Sequence, residues 1–168
     1  SFDGIVKVWN TLSGHLLHSC NQNWSFATHC VFSPDGKLIA SACNDNTVKL
    51  WDVLSGCLLH SCEGHMSSVN HSAFSLDSKF IVTASDDFTV KLWDVLSGRL
   101  LHSFDGHTNR VYYCTFSPDN KFIASASADG TVRLWSVEKK EWLHTLMHLP
   151  EHQWASWHAD GHVIDNSP

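Results

Sequence analysis

Short runs of alternating hydrophobic and polar residues follow one another along this chain, separated by residues that favour turns. Segment 66–104 is typical: it contains β-prone runs at 68–75, 79–85, 89–94 and 99–104, which together are rich in Val, Ile, Phe and Thr. Asp, Ser, Gly and Pro stand between such runs, where tight turns need them. Because no 3.6-residue hydrophobic period is sustained anywhere, the pattern predicts short strands joined by turns.

The pattern recurs with a period of 42 residues, marked by Trp9, Trp51, Trp93 and Trp135. Further series in the same register are Asp3, Asp45, Asp87 and Asp129; Gly14, Gly56 and Gly98, with Lys140 in the fourth place; and Leu17-His18-Ser19, Leu59-His60-Ser61 and Leu101-His102-Ser103, followed by Leu143-His144-Thr145. Repeats of this length are supersecondary units that stack on their neighbours.

The third strand of each repeat is apolar on both faces. In Val48-Lys49-Leu50-Trp51, the alternation of a strand puts Val48 and Leu50 on one face and Trp51 on the other. A sheet with two apolar faces must be covered twice, and stacked four-stranded sheets do this for one another. The chain is therefore predicted to form the blades of a propeller.

Several motifs recur at fixed places in the period, and they resemble the WD40 repeat. They are Trp51-Asp52 and Trp93-Asp94, Gly64-His65 and Gly106-His107, and Phe32-Ser33-Pro34-Asp35-Gly36 with Phe116-Ser117-Pro118-Asp119. The resemblance spans residues 1–146 and implies an all-β WD40 β-propeller segment of four-stranded antiparallel blades. Within that family, residues 1–10 and 72–75 are most similar to the propellers of apoptotic protease-activating factor and related NTPase-linked sensors.

The resemblance also implies how the chain is divided. Residues 1–20 would be the third and fourth strands of a partial blade, and 21–62, 63–104 and 105–146 would be whole blades. Residues 147–168 are less regular and are interpreted as a degenerate partial blade or tail, with first and second strands of a further blade at 152–164. Since the chain begins without Met or a basic segment, we expect no signal peptide and interpret it as an internal piece.

His, Ser or Thr, Asp and Trp recur together, which suggests a hydrolase triad. Recurrence at the 42-residue period favours instead the structural tetrad of the WD40 blades that the chain resembles, a buried chain of hydrogen bonds. The implied tetrad residues are Ser41, Asp45 and Trp51; His65, Thr83, Asp87 and Trp93; and His107, Ser125, Asp129 and Trp135. Asn23 stands where the first whole blade should have its His, so the network of that blade is predicted to be weaker. We expect no catalytic residue.

WD40 propellers bind partners mainly through one end, the top face, and the resemblance carries over three positions per blade. The implied top-face residues are Phe2 in the partial blade; Phe26, Thr28 and Asn44; Ser68, Asn70 and Asp86; and Arg110, Tyr112 and Ala128. Phe2, Phe26, Arg110 and Tyr112 are the strongest candidates because aromatic and Arg side chains dominate binding hot spots. The alternative for Phe26 and Tyr112 is packing between blades.

Two histidine series offer candidate metal ligands. His18, His60, His102 and His144 fall on fourth strands, where separate blades hold them apart, so they are interpreted as solvated edge residues. His148, His152, His158 and His162 follow near the end of the chain. Pro150 and Asp160-Gly161 argue against one helix through that second series. We therefore expect no metal and no cofactor, and no phosphate-binding motif such as GxxxxGK[ST] is present.

Composition excludes some functions without naming one. The chain is 43% hydrophobic and 17% charged, which indicates a folded domain. A net charge of −6 argues against a nucleic-acid partner, and no apolar run approaches the roughly 20 residues of a membrane span. The six cysteines form no CxxC and are predicted to be reduced thiols of an intracellular, cytoplasmic protein.

These observations together predict a non-catalytic scaffold for protein–protein interaction. The finer resemblance implies the sensor or autoinhibitory region of an intracellular signalling protein. One alternative is an adaptor that presents substrates to a ligase or kinase complex. Alternatives of other classes are a self-assembling half ring, completed by a second copy of the chain, and a hydrolase that uses the His, Ser and Asp residues.

Overall fold

The computed structural model describes residues 4–21, 25–149, 153–158 and 163–165, and for 148–149, 153–158 and 163–165 it describes the backbone. Throughout these residues the regular elements are strands joined by short turns. The strands pair antiparallel with their sequence neighbours. The predicted all-β class and four-stranded antiparallel blades are therefore confirmed.

Sixteen strands form four sheets, which we name by blade. The partial blade contains β1 (Ile5–Trp9) and β2 (Leu16–Asn21). Blade 1 contains β3 (Ala27–Phe32), β4 (Leu38–Cys43), β5 (Val48–Asp52) and β6 (Leu58–Cys62). Blade 2 contains β7 (Val69–Phe74), β8 (Phe80–Ser85), β9 (Val90–Asp94) and β10 (Leu100–Phe104). Blade 3 contains β11 (Val111–Phe116), β12 (Phe122–Ser127), β13 (Thr131–Ser136) and β14 (Glu141–Leu149).

Residues beyond blade 3 differ from the expectation of a further blade. Strands β15 (Gln153–His158) and β16 (Val163–Asp165) form, but they extend the sheet of blade 3 to six strands. β15 pairs with β14 from Leu149↔Gln153 to His144↔His158. The free edge of β14 offers unpaired N–H and C=O groups, and a short connection lets the next strand pair with it directly. His152 and His162 lie outside the described residues, as do the side chains of His148 and His158.

The core lies between blades. Val48 and Leu50 of blade 1 pack in one cluster with Val69 and Trp93 of blade 2. Val90 and Phe104 of blade 2 pack in the same way with Val111 and Trp135 of blade 3. Because blade 1 is covered by the partial blade on one face and by blade 2 on the other, Val48 to Trp51 are all buried, including the stem of Lys49. Sheets of this kind stabilise one another mainly through apolar area removed from water.

Two of the fourth-strand histidines, His18 and His60, also join blades, which the prediction of solvated edge residues missed. The imidazole Nε2 of His18 donates to the carbonyl of Leu54 at 2.9 Å, and that of His60 donates to the carbonyl of Leu96 at 2.9 Å. Each ring lies against a turn glycine of the next blade, and a Cβ on Gly98 would approach the Cβ of His60 to 2.8 Å. The repeated Leu-His-Ser and Ser-Gly motifs are therefore two sides of one contact.

Candidate functional site

In blade 2 the predicted tetrad forms one directed chain of hydrogen bonds. The indole Nε1 of Trp93 donates to Oγ1 of Thr83 at 2.9 Å. The Thr83 hydroxyl lies 2.7 Å from Nε2 of His65, and Nδ1 of His65 lies 2.7 Å from Oδ2 of Asp87. Because the carboxylate can only accept, the chain is consistent when Nδ1 donates to Asp87 and Nε2 accepts from Thr83.

The charge states of His65 and Asp87 follow from burial and hydrogen bonding. Burial lowers the pKa of His65 below its ordinary value, and the Asp87 carboxylate offsets this only in part. Burial acts to raise the pKa of Asp87, but hydrogen bonds from His65, the Met66 N–H and Thr89 outweigh it and hold that pKa well below its usual range. The pair is therefore a neutral imidazole and a carboxylate near neutral pH.

Blade 3 repeats this arrangement. Trp135 Nε1 donates to Oγ of Ser125 at 2.8 Å, Ser125 lies 2.8 Å from His107 Nε2, and His107 Nδ1 lies 2.7 Å from Asp129 Oδ2. Both candidate nucleophiles are enclosed, with Thr83 0% and Ser125 1% exposed. Both nitrogens of each His are already occupied. This geometry offers no substrate access to a Ser, His and Asp site.

Blade 1 has a different network. Trp51 Nε1 donates to Oγ of Ser41 at 3.0 Å, as in the other blades. Asp45 is reached instead by Nζ of Lys49 at 2.7 Å, and its other oxygen accepts from the backbone N–H and the hydroxyl of Thr47. Asn23, the predicted replacement for the His, lies outside the described residues. A lysine from the third strand thus neutralises the turn carboxylate of blade 1.

The predicted top-face residues come together in pairs at one end of each blade. The backbone N–H of Asn44 donates to the carbonyl of Phe26, that of Asp86 to Ser68, and that of Ala128 to Arg110, all at 2.8–3.0 Å. These bonds join the start of each first strand to the turn between the second and third strands. Phe2 lies outside the described residues.

Across blades 2 and 3 the top-face residues form a polar cluster. The side-chain amide of Asn70 donates to Oδ1 of Asp86 at 2.8 Å and to the carbonyl of Val111 at 3.0 Å. Nε of Arg110 lies 3.8 Å from the other Asp86 oxygen, and the Arg110 side chain is 59% exposed. Thr28 likewise donates to the carbonyl of Val69 in the next blade. Asn70 and Thr28 therefore tie blades together, whereas Arg110 is open to solvent.

A β-bulge in each first strand decides which residues reach this face. The register with the second strand shifts between Ala27 and His29, between Val69 and His71, and between Val111 and Tyr113. The extra residues are Thr28, Asn70 and Tyr112. A bulge interrupts the period-two alternation, so Tyr112 and Tyr113 are both exposed although they are adjacent. Tyr112 occupies the bulge position at which Thr28 and Asn70 contact the following blade, so both of its roles, partner binding and packing between blades, stay predictions.

The bulges also align three rings that the sequence analysis missed. The ring centroids of His29 and His71 are 4.0 Å apart, and those of His71 and Tyr113 are 4.1 Å apart. Burial, and then the neighbouring His29, lower the pKa of His71 to about 4. Recurrence of an aromatic or imidazole ring at one repeat position was the available signal.

Phe88 is a second exposed residue that the sequence analysis missed. It follows Asp87 in the turn between β8 and β9 and has a φ of 72°. The equivalent turn residues are Gly4, Asn46 and Gly130, which fit the left-handed region better than Phe does. A Phe at a repeat position that otherwise holds Gly or Asn was the available signal.

Other kinds of site find no support in the described residues. Within 4–21 and 25–149, no group of three or more His, Cys, Asp or Glu side chains is placed to hold a metal ion. In the part of the chain that the structure describes, no helix has the length and hydrophobicity needed to cross a bilayer.

Successive antiparallel sheets that pack face to face, with a complete buried tetrad in blades 2 and 3, define a section of a β-propeller. The family model for the WD domain, G-beta repeat, matches residues 11–52, 56–94 and 98–136. The chain belongs to the WD40 repeat family. No curated protein matches its sequence.

Solved structures extend the comparison of folds. In all, 1341 chains match, so the fold by itself does not select a function. The structure of U3-55K matches with a TM-score of 0.74 and 23% sequence identity, over 86% of this chain and 53% of that one. The chain thus spans about half the length of U3-55K. At this identity the likeness shows the fold alone.

Proposed function

We propose that this chain is a non-catalytic scaffold that binds a protein partner through the top face of blades 1–3. Membership of the WD40 repeat family supports an interaction scaffold. The observation that carries the assignment to this face is the cluster of Asn70, Asp86 and Arg110, which joins two blades beside the exposed Tyr112. A polar cluster on a rigid framework, next to exposed aromatic side chains, is the composition of a binding hot spot.

The finer role that we propose is the sensor or autoinhibitory region of an intracellular, cytoplasmic signalling protein. It rests on the resemblance of residues 1–10 and 72–75 to propellers linked to an NTPase. In that role the top face would bind a trigger protein while the propeller holds the NTPase inactive. An adaptor for a ligase or kinase complex is the alternative, and an NTPase domain in the complete protein would favour the first role.

Site-specific photocrosslinking tests the proposed face. A photoreactive phenylalanine analogue replaces Phe26 or Tyr112 in the complete protein, expressed in cells of its source. The matched controls carry the analogue at Leu54 or Leu96, which are exposed in turns at the opposite end of the blades. We expect a crosslinked protein from the top-face positions alone. Equal crosslinking at both ends, or none at the top face, would contradict the proposal.

A second candidate, the self-assembling half ring, is favoured by the open face of blade 3. Val132 and Leu146 are 36% and 40% exposed there, whereas the equivalent Val90 and Phe104 of blade 2 are 0% and 2% exposed. A face of this kind needs another blade, from a longer chain or from a second copy. Light scattering after gel filtration distinguishes them: a folded species of twice the chain mass supports self-assembly, and a folded monomer contradicts it.

A further inference from the structure

The starting observation is that Phe88 occupies a strained backbone position without serving the core. Its φ of 72° places it in the left-handed region, where a bulky side chain is disfavoured. The side chain is 42% exposed, so burial recovers only part of that cost. Exposed residues held in such conformations cluster at functional sites.

A second exposed apolar side chain belongs to a residue that is hydrogen-bonded to the same turn. Met66 is 85% exposed, and its backbone N–H donates to Oδ2 of Asp87 at 2.9 Å. Asp87 immediately precedes Phe88, and its other oxygen accepts from the backbone N–H of Thr89 at 3.0 Å, so one tetrad carboxylate fixes Met66 and the residue that follows Phe88. The equivalent positions in blade 3 are Thr108 and Gly130. The apolar pair is therefore a property of blade 2 and not of the repeat.

The third component is Arg110, whose guanidinium has N–H groups available for a further partner. Its only side-chain partner in the described residues is Asp86, at 3.8 Å, which is beyond hydrogen-bonding distance. The other oxygen of Asp86 already accepts from Asn70. Of the common protein groups, a carboxylate is the one that a guanidinium with free N–H groups binds best, because two parallel hydrogen bonds can form between them. Asp86 lies two residues before Phe88 in the same turn, so this cation lies at the same end of blade 2 as the apolar pair.

We propose that Met66 and Phe88 form an apolar anchor for the partner, and that Arg110 binds a carboxylate next to it. The partner is thus a protein segment in which a large aliphatic or aromatic residue stands beside Asp or Glu. This inference rests on the proposed function and specifies the partner of the same face. The tetrad of blade 2 fixes the backbone of Met66 before binding, so the entropy lost there on binding is that of the side chain.

The test uses a phage-displayed library of random dodecamer peptides, selected on the purified chain. The enriched consensus is synthesised, and its dissociation constant is measured by isothermal titration calorimetry. We expect an apolar residue next to Asp or Glu in the consensus. Phe88→Gly should weaken binding at least about tenfold, and Met66→Ser and Arg110→Gln about fivefold each. Arg110→Gln should also reduce the dependence of binding on salt.

Phe88→Gly has a second readout that excludes loss of folding as the explanation. Because glycine tolerates the left-handed region, this variant should unfold about 3 °C higher than the wild type. Leu54→Ser and Leu96→Ser change exposed leucines at the other end of the blades and should leave the dissociation constant unchanged.

Three results would overturn the inference: no enriched peptide, a consensus without an acidic residue, or a consensus peptide whose affinity Phe88→Gly leaves unchanged. If that peptide instead loses affinity when Phe26 or Tyr112 becomes Ser, binding by the top face stands and only the anchor is wrong. If the serine variants at Leu54 and Leu96 alone weaken it, the proposed function fails as well.

Discussion

Replacing Lys49 and Lys91 with methionine should have opposite effects on stability, although the two lysines are equivalent residues of neighbouring repeats. Both are nearly buried, at 8% and 7% exposure. Lys49 forms an ion pair of 2.7 Å with Asp45, whose side chain is 38% exposed. Lys91 donates to Oγ of Ser103 at 2.8 Å and lies within salt-bridge distance of no carboxylate in the described residues.

The magnitudes follow from what each substitution leaves behind. Lys49→Met removes a charge-assisted hydrogen bond and leaves the Asp45 carboxylate with the neutral donors Thr47 and Ser25, which should cost about 1–2 kcal/mol. Lys91→Met removes a desolvated charge that no carboxylate compensates, while the methionine keeps the apolar stem. We expect a change between zero and a gain of about 1 kcal/mol.

Urea unfolding followed by tryptophan fluorescence measures both free energies of unfolding. A double-mutant cycle with Asp45→Asn isolates the pair, and a coupling of about 1 kcal/mol is expected between positions 45 and 49. The coupling should shrink in high salt, because the pair is partly open to solvent. The reasoning is refuted if the two methionine variants are destabilised equally, or if the cycle shows no coupling.

Three further predictions concern other contacts. Ser125→Ala should cost about 2–3 kcal/mol and Ser41→Ala about 1 kcal/mol by urea unfolding. Ser125 has short hydrogen bonds to both Trp135 and His107, whereas in the described residues Ser41 accepts from Trp51 at 3.0 Å and otherwise makes long contacts, to the Lys49 carbonyl at 3.5 Å and to Cys43 Sγ at 3.9 Å. Equal costs would contradict the directed tetrad. His71 has a pKa of about 4 in the folded protein, so it stays neutral there at pH values at which it would be protonated in the unfolded chain. Between about pH 6.5 and pH 4 the unfolded chain therefore binds more protons than the folded one, and the free energy of unfolding falls as the pH is lowered through that window. Because His71 is only half-buried, we expect the free energy of unfolding to fall by about 1–2 kcal/mol between about pH 7 and pH 5. In His71→Asn the urea midpoint should depend less steeply on pH, and an unchanged pH dependence would count against this assignment. Gly98→Ala should lower the melting temperature by about 3–6 °C, because the φ of residue 98 is 68° and the new Cβ would overlap His60. Adding His60→Ala should restore part of the loss. An unchanged melting temperature in Gly98→Ala would show that the turn relaxes freely.

Much of the fold was predictable because each strand and turn signal recurs in several repeats, so an ambiguous segment in one repeat is resolved by its equivalents in the others. The four runs of segment 66–104 became β7–β10 with ends shifted by one residue or none. The period also aligned His65 with His107 and Thr83 with Ser125, and the resemblance to the WD40 repeat implied their roles in the tetrad. Each of these features depends on residues within one blade or its immediate neighbour.

The candidate site was less predictable because it depends on departures from the repeat. The bulges at Thr28, Asn70 and Tyr112 break the alternation that the prediction used. The pairing of Lys49 with Asp45, the hydrogen bond from His60 to the turn of blade 2, and the addition of β15 to blade 3 each join groups whose proximity no spacing rule gives.

The sequence by itself determined the strands, the turns and the residues that face a neighbouring blade, since these follow from period-two alternation and from a unit repeated every 42 residues. The tertiary structure alone decided which residues at equivalent repeat positions make different contacts. Lys49 and Lys91, or Phe88 and Gly130, occupy the same repeat position, but the groups around them differ from blade to blade. The energy of a polar or strained residue depends on those surrounding groups, and folding brings them together from distant parts of the chain.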